Sequence, residues 1–75
     1  MTKFEVGKTY WAYQKEYGSV TILKKTEKYI FVQSDCGIEW RMKIRYAENG
    51  NEYAIDSSVP MMWRDAFTYF SDNEI

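Results

Sequence analysis

"KYIFVQSDCGIEWRMKIR", residues 28–45, holds two runs of alternating residues on either side of Asp35-Cys36-Gly37. Side chains of a strand alternate between its two faces. One face would carry Ile30, Val32, Trp40, Met42 and Ile44, and the other Tyr29, Phe31, Arg41, Lys43 and Arg45. Residues opposite each other in a hairpin share a face. Setting Val32 against Trp40 and Ile30 against Met42 keeps the apolar face whole and leaves Asp35-Cys36-Gly37 as the loop. A three-residue hairpin loop needs positive φ at its third position, which glycine adopts without steric penalty. A two-residue loop would put Glu39 opposite Val32 and turn the core face outward. Pattern and turn chemistry agree on one register.

Working outward, residues 8–15 read as a strand with Tyr10 and Ala12 on one face and Trp11 and Tyr13 on the other. Phe4 and Val6 are expected to anchor beneath the sheet, and Tyr17-Gly18-Ser19 is a turn. The next strand carries Val20 and Ile22 inward. Its parity predicts Ile22 opposite Ile30, with Lys25-Thr26-Glu27 as the loop. A fourth strand spans 38–46, Asn49-Gly50 is a strong hairpin signal, and 52–55 is a short fifth strand.

After Asp56-Ser57-Ser58, Pro60 marks the start of a helix with Ser58 as N-cap. Over 60–70, Met62, Ala66, Tyr69 and Phe70 form an apolar stripe, and Trp63 and Phe67 widen it. Met61, Arg64, Asp65 and Thr68 lie nearer the polar side, and 71–75 reads as a frayed acidic tail. The predicted fold is mainly β: a five-stranded antiparallel meander curled into a small SH3-like open barrel, with one C-terminal amphipathic helix.

A chain of 75 residues makes a single domain, 1–75, which buries only about 60% of its unfolded surface. Three Trp, seven Tyr and four Phe supply the bulk that so small a core needs. Cys36 is the only cysteine and histidine is absent. Disulfides within the chain, imidazole metal sites and Cys-His or Ser-His-Asp chemistry are thereby excluded. Asp35 beside Cys36 works against a thiolate nucleophile. The reading is a protein that is not an enzyme and uses neither cofactor nor metal. Without a signal-peptide pattern or an apolar run of about 20 residues, it is expected in the cytoplasm and off the membrane.

Charge is unevenly spread. Residues 1–47 hold nine Lys/Arg against five Asp/Glu, and residues 48–75 hold one against six. Such a split predicts two faces of opposite sign. The first candidate site is the aromatic-basic face Tyr29, Phe31, Arg41 and Lys43. Rings beside cations suit single-stranded nucleic acid, where bases stack and cations follow phosphates. They suit a protein interface equally, or serve only as cross-strand pairs and helix-covered core. A net charge of −1 favours the protein interface, since phosphate contacts dominate nucleic-acid affinity. The second candidate is the helix and tail, where Trp63 and Phe67 beside Asp65 and Asp72 would suit a basic protein or self-association through the helix.

Three stretches carry a family likeness: "FEVGKTY" at the start, "ILKKTEKYIFV", and "EWRMKIRYAENGNEYA". In these, residues 4–55 resemble a group of short uncharacterised proteins from bacterial phages and integrated mobile elements. The chain departs from that pattern at Lys25, where Arg is usual, and its segment 60–70 has no counterpart there. The resemblance implies a small β-barrel of accessory function, with no catalytic residues to carry over. By analogy it implies an inhibitor of a host defence protein, of the anti-CRISPR type. The function expected is therefore a non-enzymatic protein-binding module, with single-stranded nucleic-acid binding or a structural oligomer as alternatives.

Overall fold

The computed structural model describes residues 2–75. At its centre is the hairpin that parity demands. β3 (Tyr29–Ser34) pairs with β4 (Glu39–Tyr46), with Tyr29 opposite Lys43, Phe31 opposite Arg41 and Val32 opposite Trp40. The Ser34 carbonyl accepts the Gly37 N–H at 3.0 Å, and Gly37 takes φ +92°. Around this hairpin lie β1 (Thr9–Ala12), β2 (Ser19–Lys25), β5 (Glu52–Ile55) and β6 (Thr68–Glu74). All pairings are antiparallel, and β6 pairs with both β5 and β1 to close a six-stranded barrel in chain order.

Barrel closure corrects two expectations. The helix over 60–70 does not form, and the tail is not frayed. Only Met61–Trp63 makes a single 3-10 turn, and residues from Thr68 onward enter the ladder as a sixth strand. Spacing alone cannot separate helix from strand over so short an apolar run. The ladder decides the matter here, because a five-stranded meander would leave the backbone edges of β1 and β5 unpaired. β6 satisfies both at once, with Tyr69 opposite Ala54 on one side and Ala12 on the other. Thr, Tyr and Phe at 68–70 also favour strand. Ser58 is not a helix cap: its N–H and hydroxyl both donate to Asp56 Oδ1, at 3.0 and 2.6 Å, in a tight turn.

The β2–β3 register is the third correction. Ile22 lies opposite Val32, not Ile30, and the ladder shifts between Ile22 and Lys24. One extra residue in β2 forms a bulge, which leaves a residue unpaired and re-aims the side chains beyond it. Past the bulge Lys24 pairs with Phe31 and Lys25 with Ile30. Lys25 thus points toward the barrel end, where its Nζ donates to Glu52 Oε1 at 2.7 Å and to the Phe4 carbonyl at 3.0 Å.

Inside the ring, Tyr10, Ala12, Val20, Ile22, Ile30, Val32, Met42, Ile44, Ala54 and Tyr69 fill the barrel. A barrel of few strands is filled by its own side chains, and each large apolar one buried contributes about 1.5–3 kcal/mol. Phe4 plugs one end, its ring edge-on to Tyr10 at 5.0 Å. Val6, the other expected anchor, is exposed. The plugged end carries residues 2–8, the β2–β3 and β4–β5 turns and the end of β6. The opposite end, the mouth, carries the connections 13–18, 35–38 and 56–67.

Candidate functional site

The expected aromatic-basic face exists as an outer wall of β2–β4. Arg41 places its guanidinium 4.8 Å over the Tyr29 ring, and Lys24 its ammonium 5.6 Å over the Phe31 ring. Each such contact is worth about 0.5–1 kcal/mol at an exposed site. Lys24 was missed by the sequence reading because only the bulge aligns it with Phe31. Lys24, Arg41 and Lys43 are exposed, and none joins an ion pair among the described residues. Both rings stay half-buried with no helix laid over them, since β6 sits across the ring from β3.

On that far side, Phe70 stacks with Tyr53 at 5.9 Å and meets Tyr13 edge-on at 6.0 Å. Asp65 and Asp72 are exposed beside this aromatic row, and Lys15 shares the groove that holds Asp72. The charge split in the sequence is only partly kept: the β2–β4 wall carries Lys24, Arg41 and Lys43 with Glu39 among them, and the far wall Asp65 and Asp72 with Lys15, and Arg45 opposite Tyr53.

The mouth unites features that lie far apart in the chain. In the connection 56–67, Arg64 turns back on its own loop, with Nε donating to the Val59 carbonyl at 3.1 Å. Thr68 Oγ1 donates to the Arg64 carbonyl at 2.7 Å, and Ala66 is buried. The loop is thus pinned from within, and its other side faces water. Met61 is 79% exposed, Met62 84% and Trp63 49%. Three consecutive large apolar residues on the outside of a pinned loop are unusual, because exposed apolar surface of this kind marks interaction sites. Ile38, just before β4, is exposed as well and lines a cleft at the same barrel end. Phe67 turns inward and packs on Tyr17, ring centres 4.7 Å apart.

That cleft, of about 510 Å³, is walled by Tyr17, Trp40, Phe67 and Tyr69, with Asp35 and Asp56 lining it from two different loops; Met61, Met62 and Trp63 do not line it. Trp40 Nε1 is buried without a hydrogen-bond partner, a position that carries a penalty of about 1–3 kcal/mol. Burial pushes the Tyr69 phenol up to about 12, with Asp56 and Asp35 adding to the effect. Cys36 is exposed at the edge, its Sγ 3.1 Å from Ser34 Oγ. Among the described residues, no group of three or more Cys, Asp or Glu is placed to hold a metal ion.

The expected site residues therefore fall into three places. Tyr29, Phe31, Arg41 and Lys43 share the β2–β4 wall; Asp65 and Asp72 flank the far wall; Trp63 is on the mouth rim and Phe67 lines the cleft. With no helix formed, self-association through one loses its element. Met61 is expected from the sequence among the apolar residues left outside, with Trp63 and Phe67; Met62, Ile38, Asp35 and Asp56 are not, and their common feature is a place on loops at one barrel end. No helix among the described residues is long and apolar enough to cross a membrane. No known protein family, curated protein or solved structure matches the chain.

Proposed function

We propose that this chain is a non-enzymatic protein-binding module of phage or mobile-element origin, which docks through its barrel mouth on a basic protein. The observation that carries the reading is the outward projection of Met61, Met62 and Trp63 from a loop that Arg64 pins. Met, Trp and Tyr are enriched at the centres of protein interfaces, and a few such anchors supply most of the binding energy. Asp56 and Asp65 stand in the same connection as Met61–Trp63, and Asp35 in the β3–β4 connection at the same barrel end, a sign that suits a cationic partner. Inhibition of a host defence protein is the specific role that the phage resemblance suggests.

Affinity capture from the native host tests the reading. Met61→Glu with Met62→Glu should abolish capture of the partner, and charge reversal at Asp65 and Asp72 should weaken it. Both changes lie on the surface and should leave stability within about 1 kcal/mol. A partner captured equally by all variants refutes docking at the mouth.

A second reading, binding of single-stranded nucleic acid, is favoured by the half-buried rings of the β2–β4 wall and the cations over them, which join no ion pair among the described residues. It requires oligonucleotide binding, read by fluorescence anisotropy, that weakens steeply as salt rises. Absence of binding at low salt removes it.

A further inference from the structure

We infer that the cleft at the barrel mouth receives a single cationic side chain, an arginine, from the docked protein. This deepens the docking reading above and rests on it. Asp35 and Asp56 reach the cleft from the β3–β4 hairpin and the 56–67 connection, and neither joins an ion pair among the described residues. Asp56 uses Oδ1 for Ser58, and among the described residues no hydrogen bond engages its other oxygen. A cation entering the cleft would meet a carboxylate from each of two loops. The protein's own nearest cation pairs with neither. Arg41 lines the cleft, yet its guanidinium is spent on the Tyr29 ring and lies beyond ion-pair distance of both acids.

The walls narrow the choice of cation. Tyr17, Phe67, Trp40 and Tyr69 line the cleft with aromatic rings, Tyr17 and Phe67 packed on each other. Guanidinium stacks on aromatic faces and pairs with carboxylates through a planar fork, whereas ammonium is a strongly hydrated point charge. The volume of about 510 Å³ exceeds what one arginine side chain occupies and falls in the ordinary range of ligand clefts. The same carboxylates repel phosphate, so nucleic acid is kept from the mouth.

The test is an NMR titration of the full chain with N-acetyl-arginine amide, using neutral N-acetyl-citrulline amide as the matched control. Saturable shifts at Asp35, Asp56, Tyr17 and the Trp40 indole, seen with the arginine probe alone, support the inference. Asp35→Asn with Asp56→Asn keeps the acceptor for Ser58 and should weaken the probe by about tenfold or more. Equal shifts with both probes, no shifts at the mouth, or displacement of the probe by an oligonucleotide overturn it. Capture of a partner that is lost on Met61→Glu/Met62→Glu but kept on the double Asn change would overturn the arginine cleft alone. A probe that binds the mouth while no variant alters capture would instead remove the docking reading.

Discussion

Glu52 Oε1 accepts from Lys25 Nζ at 2.7 Å and from the Phe4 backbone N–H at 2.8 Å, so one buried carboxylate oxygen holds the plug, the bulge and β5 together. Glu52→Ala strips the Phe4 N–H of its partner and leaves Lys25 unpaired at the barrel end. The loss should be about 2–4 kcal/mol, because removing one member of a buried polar group costs more than the pair contributes. Glu52→Gln keeps an acceptor oxygen and should lose only about 1 kcal/mol. Urea denaturation of both variants measures the difference, and equal stabilities would show that the carboxylate is not the clamp.

Gly37→Ala tests the hairpin turn. Nothing lies within 4 Å of a Cβ built there, so only the backbone at φ +92° opposes the change. The expected loss is about 1–2 kcal/mol from left-handed strain alone, with the β3–β4 register unchanged in cross-strand NOEs.

Ending the chain after Phe67 should abolish the fold. β1 and β5 would each lose a ladder partner and the core would lose Tyr69. Amide NMR dispersion reads the result directly: a truncated chain that keeps native dispersion would show that β6 is not the closing strand.

Tyr69 supplies the pH dependence. An unfolded tyrosine ionises near its ordinary value of 10, and burial first, with Asp56 and Asp35 behind it, holds the folded phenol neutral up to about 12. Between those values the unfolded state binds fewer protons than the folded one, so stability falls as pH rises through that window. Below pH 10 this contribution is constant. Tyr69→Phe should flatten the decline measured by denaturation above pH 10, and an unchanged slope would assign it elsewhere. In the Asp35→Asn/Asp56→Asn protein the phenol should ionise at lower pH than in the parent.

The hairpin at 29–46 was legible because three independent signals coincide there: alternation, parity across the loop, and Gly37 at the third loop position. One hairpin earlier, parity does not give the observed register. A bulge between Ile22 and Lys24 adds a residue without any glycine or proline to announce it, so an even-to-even rule cannot detect it. β6 escaped for a different reason: Met62, Ala66, Tyr69 and Phe70 satisfy helical spacing, and the need of β1 for a partner is not local information. Of the candidate sites, the aromatic-basic face follows from two paired strands and could be read directly. The mouth could not, because Tyr17, Asp35, Asp56 and Phe67 meet only when the ring is closed.

The β1–β6 seam has a consequence for the order of folding. The β2–β3, β3–β4 and β4–β5 hairpins join neighbours in the chain, whereas Ala12 and Tyr69 stand almost the whole domain apart. Local pairings close short loops and form early; the seam must close the longest one and comes last. During synthesis the hairpins can assemble while β1 still waits with one edge bare. Only when β6 leaves the ribosome can the mouth acquire its final shape, so the cleft walled by Phe67 and Tyr69 is the last part of the surface to form.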